Sequence, residues 1–154
     1  MKVLVVSDTH GDVLSLRKAI NQKPLAEVVI HCGDGNSDLE DLKPLYPEKH
    51  FIGVRGNCDF CVNAENTETI TLEGKKLFIT HGHLYNAKYG LYNLVCAARE
   101  NEADLLLFGH THNALKDYDD GLYIVNPGSC HGYGASYAYL DITEQGIMVS
   151  HFKL

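Results

Sequence analysis

The sequence predicts an α/β fold in which two sheets pack together with helices on the outside. Three observations carry that prediction. Apolar, β-branched runs of strand length alternate with helically spaced apolar stripes from residue 2 to residue 54. A hairpin signal within 69–80 then changes the rhythm. The last third consists of short apolar stretches separated by turn residues.

Taken in order, residues 2–7 form a continuous apolar run and read as a buried strand. Asp12 ahead of Val13, Leu16, Ala19 and Ile20 predicts a capped helix over 13–22. Residues 27–31 are the next strand. Ser37 and Glu40 have the spacing of a capping box, Leu39 and Leu42 begin a short stripe, and Pro44 cuts it off. Residues 51–54 complete a β-α-β-α-β opening that favours parallel pairing. Glu73-Gly74-Lys75 turns between strands at 69–72 and 76–80. Leu91, Leu94, Val95 and Ala98 predict a helix over 91–102, followed by a buried strand at 104–108. Strands at 114–118, 122–125, 137–141 and 147–152, with a turn at 119–121, read as antiparallel. A parallel front half thus meets a β-rich back half. No repeat or linker divides the chain, so one domain over residues 1–154 is expected.

Composition narrows the functions. At 154 residues and 45% hydrophobic, the chain can bury a real core. Its apolar runs are strand-sized, which predicts no membrane span. The N-terminal run is broken by Asp8 and His10, unlike a secretory signal. The five cysteines then read as reduced thiols in the cytoplasm. A net charge of -7 and the lack of a Lys/Arg cluster argue against nucleic acid as a partner. Bound cations would reverse the local sign, so a phosphate ester remains an accessible ligand.

The chemistry is legible at the carboxyl ends of the strands. Nearly every predicted strand of a single front sheet runs into a polar cluster: Asp8-Thr9-His10, Gly33-Asp34, Gly56-Asn57-Cys58-Asp59, His81-Gly82-His83 and Gly109-His110-Thr111-His112. In open α/β sheets, ligands gather beyond the carboxyl ends of parallel strands. Carboxylate, imidazole and amide oxygen suit manganese, iron, zinc or magnesium, whereas structural zinc favours thiolates. Gly33, Gly56, Gly82 and Gly109 allow tight turns and close approach. Taken singly each motif is commonplace; five of them, each after an apolar run, point to one metal site.

These motifs resemble the calcineurin-like metallophosphoesterase superfamily, with Asp-x-His, Gly-Asp, Gly-Asn-x-Asp, a strand-end His and Gly-His-x-His spanning Asp8 to His112. The short chain, the Gly-Asn-Cys-Asp variant and the later Asn126-Pro127-Gly128-Ser129 are most similar to its YfcE-like small phosphodiesterase branch. The resemblance implies a four-layer α-β-β-α sandwich of two mixed sheets. It implies two divalent ions, with manganese expected and iron, zinc, nickel or magnesium compatible. One ion would be held by Asp8, His10 and His112, the other by Asn57, His81 and His110, with Asp34 bridging. A hydroxide activated by the metal pair would attack phosphorus in a small phosphodiester. The rival implication is a scaffold of the same fold that has given up catalysis, as in a retromer coat subunit. The complete ligand set favours an enzyme.

Several positions remain open at this level. Cys58 stands where many superfamily members carry His. A thiol, with a reference pKa of about 8.5, cannot carry positive charge to a leaving group. Diesters and activated esters are therefore favoured over monoesters. His83 could contact substrate or be a solvated loop residue. His31, His50, His131 and His151 match no motif and read as ordinary polar or partly buried residues, while Cys32, Cys96 and Cys130 read as small hydrophobes. Asp59 could orient neighbouring groups or lie in a plain surface turn. Asn126-Pro127-Gly128-Ser129 reads as a turn near the cleft, either structural, the favoured reading, or offering backbone N–H groups to phosphate. The tyrosine-rich stretches 85–92 and 133–139 suit either a cleft or an interface such as a homodimer's.

Overall fold

A computed structural model describes all residues, 1–154. Strand β1 (Lys2–Val6) pairs in parallel with β2 (Val28–His31), and β2 with β3 (His50–Gly53). Helices α1 (Val13–Gln22) and α2 (Asn36–Leu42) connect them. A hairpin, β4 (Thr67–Leu72) and β5 (Lys75–Thr80), opens the second sheet. Its turn fits because Glu73 and Gly74 both take left-handed backbone. Helix α3 (Tyr92–Glu100) leads to β6 (Leu105–Leu107); β7 (Leu115–Asp119), β8 (Leu122–Asn126), β9 (Ser136–Thr143) and β10 (Gly146–Lys153) complete the chain.

The sheets are ordered β10-β9-β1-β2-β3 and β4-β5-β6-β8-β7. This corrects the expected division into a parallel front and an antiparallel back. Strands β9 and β10 return to the first sheet, antiparallel to β1, and β8 lies parallel to β6. Both sheets are mixed. Period-2 alternation explains the layering. Val3 and Val5 face Leu77, Ile79, Leu105 and Leu107 in the core between the sheets. Leu4, Val6 and Val29 face Leu16, Ile20, Leu39 and Leu42 of α1 and α2. Phe78, Leu106 and Phe108 face Leu94, Ala97 and Ala98 of α3. Four layers result. No helix is long and apolar enough to cross a membrane.

The ends of α1 and α2 show how local signals fared. Asp12 caps α1, accepting from the Ser15 amide at 3.0 Å. The capping box expected at Ser37 and Glu40 does not form. Helix α2 starts at Asn36 behind Gly35, and no side chain within it caps its end. The Asp59 carboxylate does so from the loop after β3, taking the amides of Gly35 and Asn36 at 2.9 and 3.0 Å. Pro44 ends α2 as expected, seeding a short 3-10 turn over Lys43–Leu45.

Candidate metal centre

All five predicted clusters lie at strand ends, but they come from two sheets, not one. The loops after β1, β2 and β3 carry Asp8, His10, Asp34 and Asn57; those after β5 and β6 carry His81, His110 and His112. Pairing continues past the strands and sets the loops side by side. The amides of Asp8 and His10 donate to the carbonyls of Gly33 and Asp34, and that of Gly109 to His81. Two bonds then tie the sheets together. The His110 amide donates to Asp8 Oδ2 at 3.0 Å, and His81 Nδ1 donates to the Cys32 carbonyl at 2.7 Å.

These anchors orient each donor. Asp8 Oδ2 also accepts from Ser7 Oγ at 2.6 Å, so the carboxylate is held by one oxygen. Its other oxygen, Oδ1, is buried and has no hydrogen-bond partner. Around it stand His112 Nε2 at 3.2 Å, His10 Nε2 at 3.8 Å and His81 Nε2 at 3.9 Å. The two exposed imidazoles face each other, with 3.4 Å between their Nε2 atoms. Because a carbonyl only accepts, His81 Nδ1 carries the proton and Nε2 is left as the donor atom. That Nε2 lies 3.3 Å from Asp34 Oδ2 and 3.1 Å from Asn57 Oδ1. His110 is placed against His81, ring centroids 4.9 Å apart. The seven residues therefore meet, with Asp34 between the Asp8–His10–His112 group and the Asn57–His81–His110 group.

An orphaned buried carboxylate oxygen surrounded by imidazole nitrogens is costly in a protein that binds nothing there. Divalent cations bound there would give these atoms partners. Three groups, Asp8–His10–His112, Asp8–Asp34–His81 and His10–Asp34–Cys58, have donor atoms within 4.8 Å of one another, and Asp34 and Asp8 link them. The backbone agrees. Asp8, His10, Asp34, His110 and His112 are five of the ten non-glycine residues in left-handed conformation. Such strain concentrates where a fold holds side chains for function.

The electrostatics favour the unprotonated form at Asp34, His110 and His83, and hold a proton on His81. Burial opposes the charge of Asp34, but His81 and the Cys58 amide, which donates to Oδ1 at 2.7 Å, outweigh it and hold the carboxyl well below its usual range. Burial and the nearby His81 push His110 down to about 4, and burial likewise lowers His83. For His81, burial disfavours the cation, yet Asp34 and Asp8 prevail and raise its pKa. A bound cation would take that proton's place beside the same carboxylates.

Several residues that support the site carry little or no signal in the sequence. Asp59 accepts from the amides of Asp34, Gly35, Asn36 and Gly56 at 2.8–3.0 Å, which fixes the loops bearing Asp34 and Asn57. Its place in Gly-Asn-x-Asp is the one available signal. Asn126 braces the last loop, its amide donating to the Gly109 carbonyl and Thr111 Oγ1. The Gly128 amide is taken by Asn126 Oδ1, so that turn is structural, as expected. His31 is more than an ordinary polar residue. Its Nδ1 accepts from the Gly33 amide, Nε2 donates to Thr9 Oγ1, and Thr9 donates to Asp38. His131 lies beside His10, centroids 6.2 Å apart. Gly56 and Gly109 are required by space: a Cβ would fall 2.0 Å from Asp34 Oδ1 and 1.8 Å from Ser7 Oγ respectively.

His31 makes a pH prediction. Full burial depresses its pKa from 6.5 to about 4. A group with a depressed folded pKa contributes stability above its unfolded pKa and loses it as pH falls through the folded one. At 1.36 kcal/mol per unit, His31 alone should lower the unfolding free energy by about 3 kcal/mol between pH 6.5 and 4, in addition to what His110 and other groups contribute. Denaturant titrations across that range check this, and His31→Asn should flatten the slope.

The comparisons with known proteins agree with the geometry. The profile of the calcineurin-like phosphoesterase superfamily domain matches residues 1–145. Probable metallophosphoesterase YsnB of Bacillus subtilis is 39% identical over 131 residues, covering 84% of this chain and 75% of its own. Phosphodiesterase YfcE of Escherichia coli is 30% identical over 170 residues, covering 92% and 88%. Among solved structures, an archaeal phosphodiesterase superposes with a TM-score of 0.82 at 28% identity, over 100% of both chains. A Vps29 double mutant from Entamoeba histolytica scores 0.83 at 24% identity, over 100% and 93%, a likeness of fold alone.

Proposed function

The chain belongs to the calcineurin-like phosphoesterase superfamily, and we propose that it is a phosphodiesterase acting on small phosphate diesters with two divalent ions, manganese first among the candidates. Asp8, His10 and His112 would hold one ion, Asn57, His81 and His110 the other, and Asp34 both. Bound there, the ions would supply positive charge to the phosphate and activate a water for in-line attack. The observation that carries this reading is Asp8 Oδ1, buried without a partner among three imidazole nitrogens. The five unpaired thiols support a reducing, cytoplasmic setting.

The chain's own residues set the rest of the chemistry. Ser7 and the His110 amide hold Asp8 so that only Oδ1 faces the ligands. The Cys32 carbonyl fixes the His81 tautomer. His83 Nδ1 is buried with no partner, its ring 5.4 Å from that of His81, and a phosphate oxygen would satisfy it. Cys58 is an exposed residue whose thiol pKa is raised by partial desolvation and by the nearby Asp34 carboxylate. It stays neutral and lends a departing alkoxide no positive charge, which favours diesters and good leaving groups.

The direct experiment is hydrolysis of a nitrophenyl phosphodiester with added Mn²⁺, before and after chelation. Activity that requires the metal supports the reading; none in any divalent metal refutes it and leaves the scaffold alternative. A second experiment probes Cys58. Cys58→His should raise turnover of esters with poor leaving groups by about tenfold, a modest part of what a positioned acid can contribute. No change, or a fall, would mean that the thiol is not what limits those substrates.

A further inference from the structure

A groove of about 590 Å³ borders the last metal-ligand loop. One wall is the 3-10 turn Ala87–Tyr89 with Leu91; the other runs from Phe108 through Thr111 and Asn113 to Ala114 and Leu115. Thr111 lies between His110 and His112, so the loop that presents two imidazoles to the ligand cluster also forms a wall of the groove. The surface is apolar at Leu91, Phe108, Ala114 and Leu115 and polar at Thr111 and Asn113. Lys88 stands on the rim, exposed and in no ion pair or hydrogen bond of the fold.

On the phosphodiesterase reading, we infer that this groove receives the organic group that stays on phosphorus, a planar or aliphatic ester arm, and that Lys88 draws the attached phosphate anion into place. A diester brings two organic groups to the metals, one leaving and one retained, and a monoester would leave such a groove without use. Charge selects this groove over the 470 Å³ cavity beside β3 and β4. That cavity carries Glu40, Glu65 and Glu68, and its one lysine, Lys43, is paired with Glu40. It would repel an anion. In a chain of net charge -7, an unpaired lysine beside the ligand cluster attracts one.

The test uses the full chain loaded with Mn²⁺ and two diesters sharing a leaving group, bis(4-nitrophenyl) phosphate and methyl 4-nitrophenyl phosphate. Burying the retained aryl ring should give it a KM about tenfold lower than the methyl ester's. Ala114→Trp, which fills the groove from an exposed position, should erase that ratio. Lys88→Ala, also exposed, should raise KM for both esters by about threefold, more than it lowers kcat, and weaken the salt dependence. Equal KM values in the natural protein, or a ratio that survives Ala114→Trp, would overturn the inference. Calorimetry with phenylphosphonate and methylphosphonate reads the groove without turnover. Tighter phenyl binding that Ala114→Trp abolishes supports it, and equal affinities contradict it. If neither diester is hydrolysed while that difference persists, the catalytic reading fails and the groove stands.

Discussion

Asp34→Asn is expected to abolish phosphodiesterase activity, by about a thousandfold or more, and to lower bound metal from about two ions per chain towards one or none. Asp34 is the only predicted ligand lying between the two groups. Its Oδ1 accepts from the Cys58 amide at 2.7 Å, and its Oδ2 lies 3.3 Å from His81 Nε2. Asparagine keeps the shape but removes the charge, and its amide must turn an N–H towards one of those neighbours. Either orientation leaves one oxygen where two were used. Gly56 sits so close to Asp34 that the side chain has little room to move away. The fold should persist, so a normal melting transition with lost metal and activity is the predicted outcome. Unchanged metal content and activity would refute the bridging assignment.

Asp59→Ala should cost about 3–5 kcal/mol of stability, the range for breaking a buried charge-and-amide network. One carboxylate takes four backbone amides and also the Asn36 side chain at 3.3 Å. Burial opposes its charge, but those amides win and hold its pKa below the ordinary value. Removal leaves buried N–H groups unpaired at the start of α2 and frees the loops that carry Asp34 and Asn57. Urea unfolding should show a lower midpoint, and metal affinity should fall with it although Asp59 touches no ion. A loss under about 1 kcal/mol would show that water replaces the carboxylate without difficulty.

Comparing these two residues shows what the sequence could reveal. Asp34 is legible because it comes after an apolar strand and a glycine, and the other strand-end clusters are legible in the same way. Local period reports whether a segment is a strand, not which sheet receives it. Hence the sequence assigns His81 and the final His-x-His to the first sheet, and gives no sign that β9 and β10 return beside β1. Asp59 is visible as a motif member, yet three of its four amide partners lie 23–25 residues away, beyond any helical or hairpin spacing. The capping box at Ser37 fails for that reason: a distant carboxylate already satisfies the helix end. The link from His31 in β2 through Thr9 in the loop after β1 to Asp38 in α2 has no sequence signature. Nor does the left-handed backbone of Asp8 and His10, which only the meeting of the loops imposes.

The central proposition is that seven side chains from two sheets enclose a pair of cations. Anomalous diffraction from crystals of the Mn²⁺-equilibrated protein tests it most directly. Two metal peaks about 3.5–4 Å apart should flank Asp34, one beside Asp8, His10 and His112 and the other beside Asn57, His81 and His110. A single peak away from Asp34, or metal density only at surface carboxylates, would contradict the account.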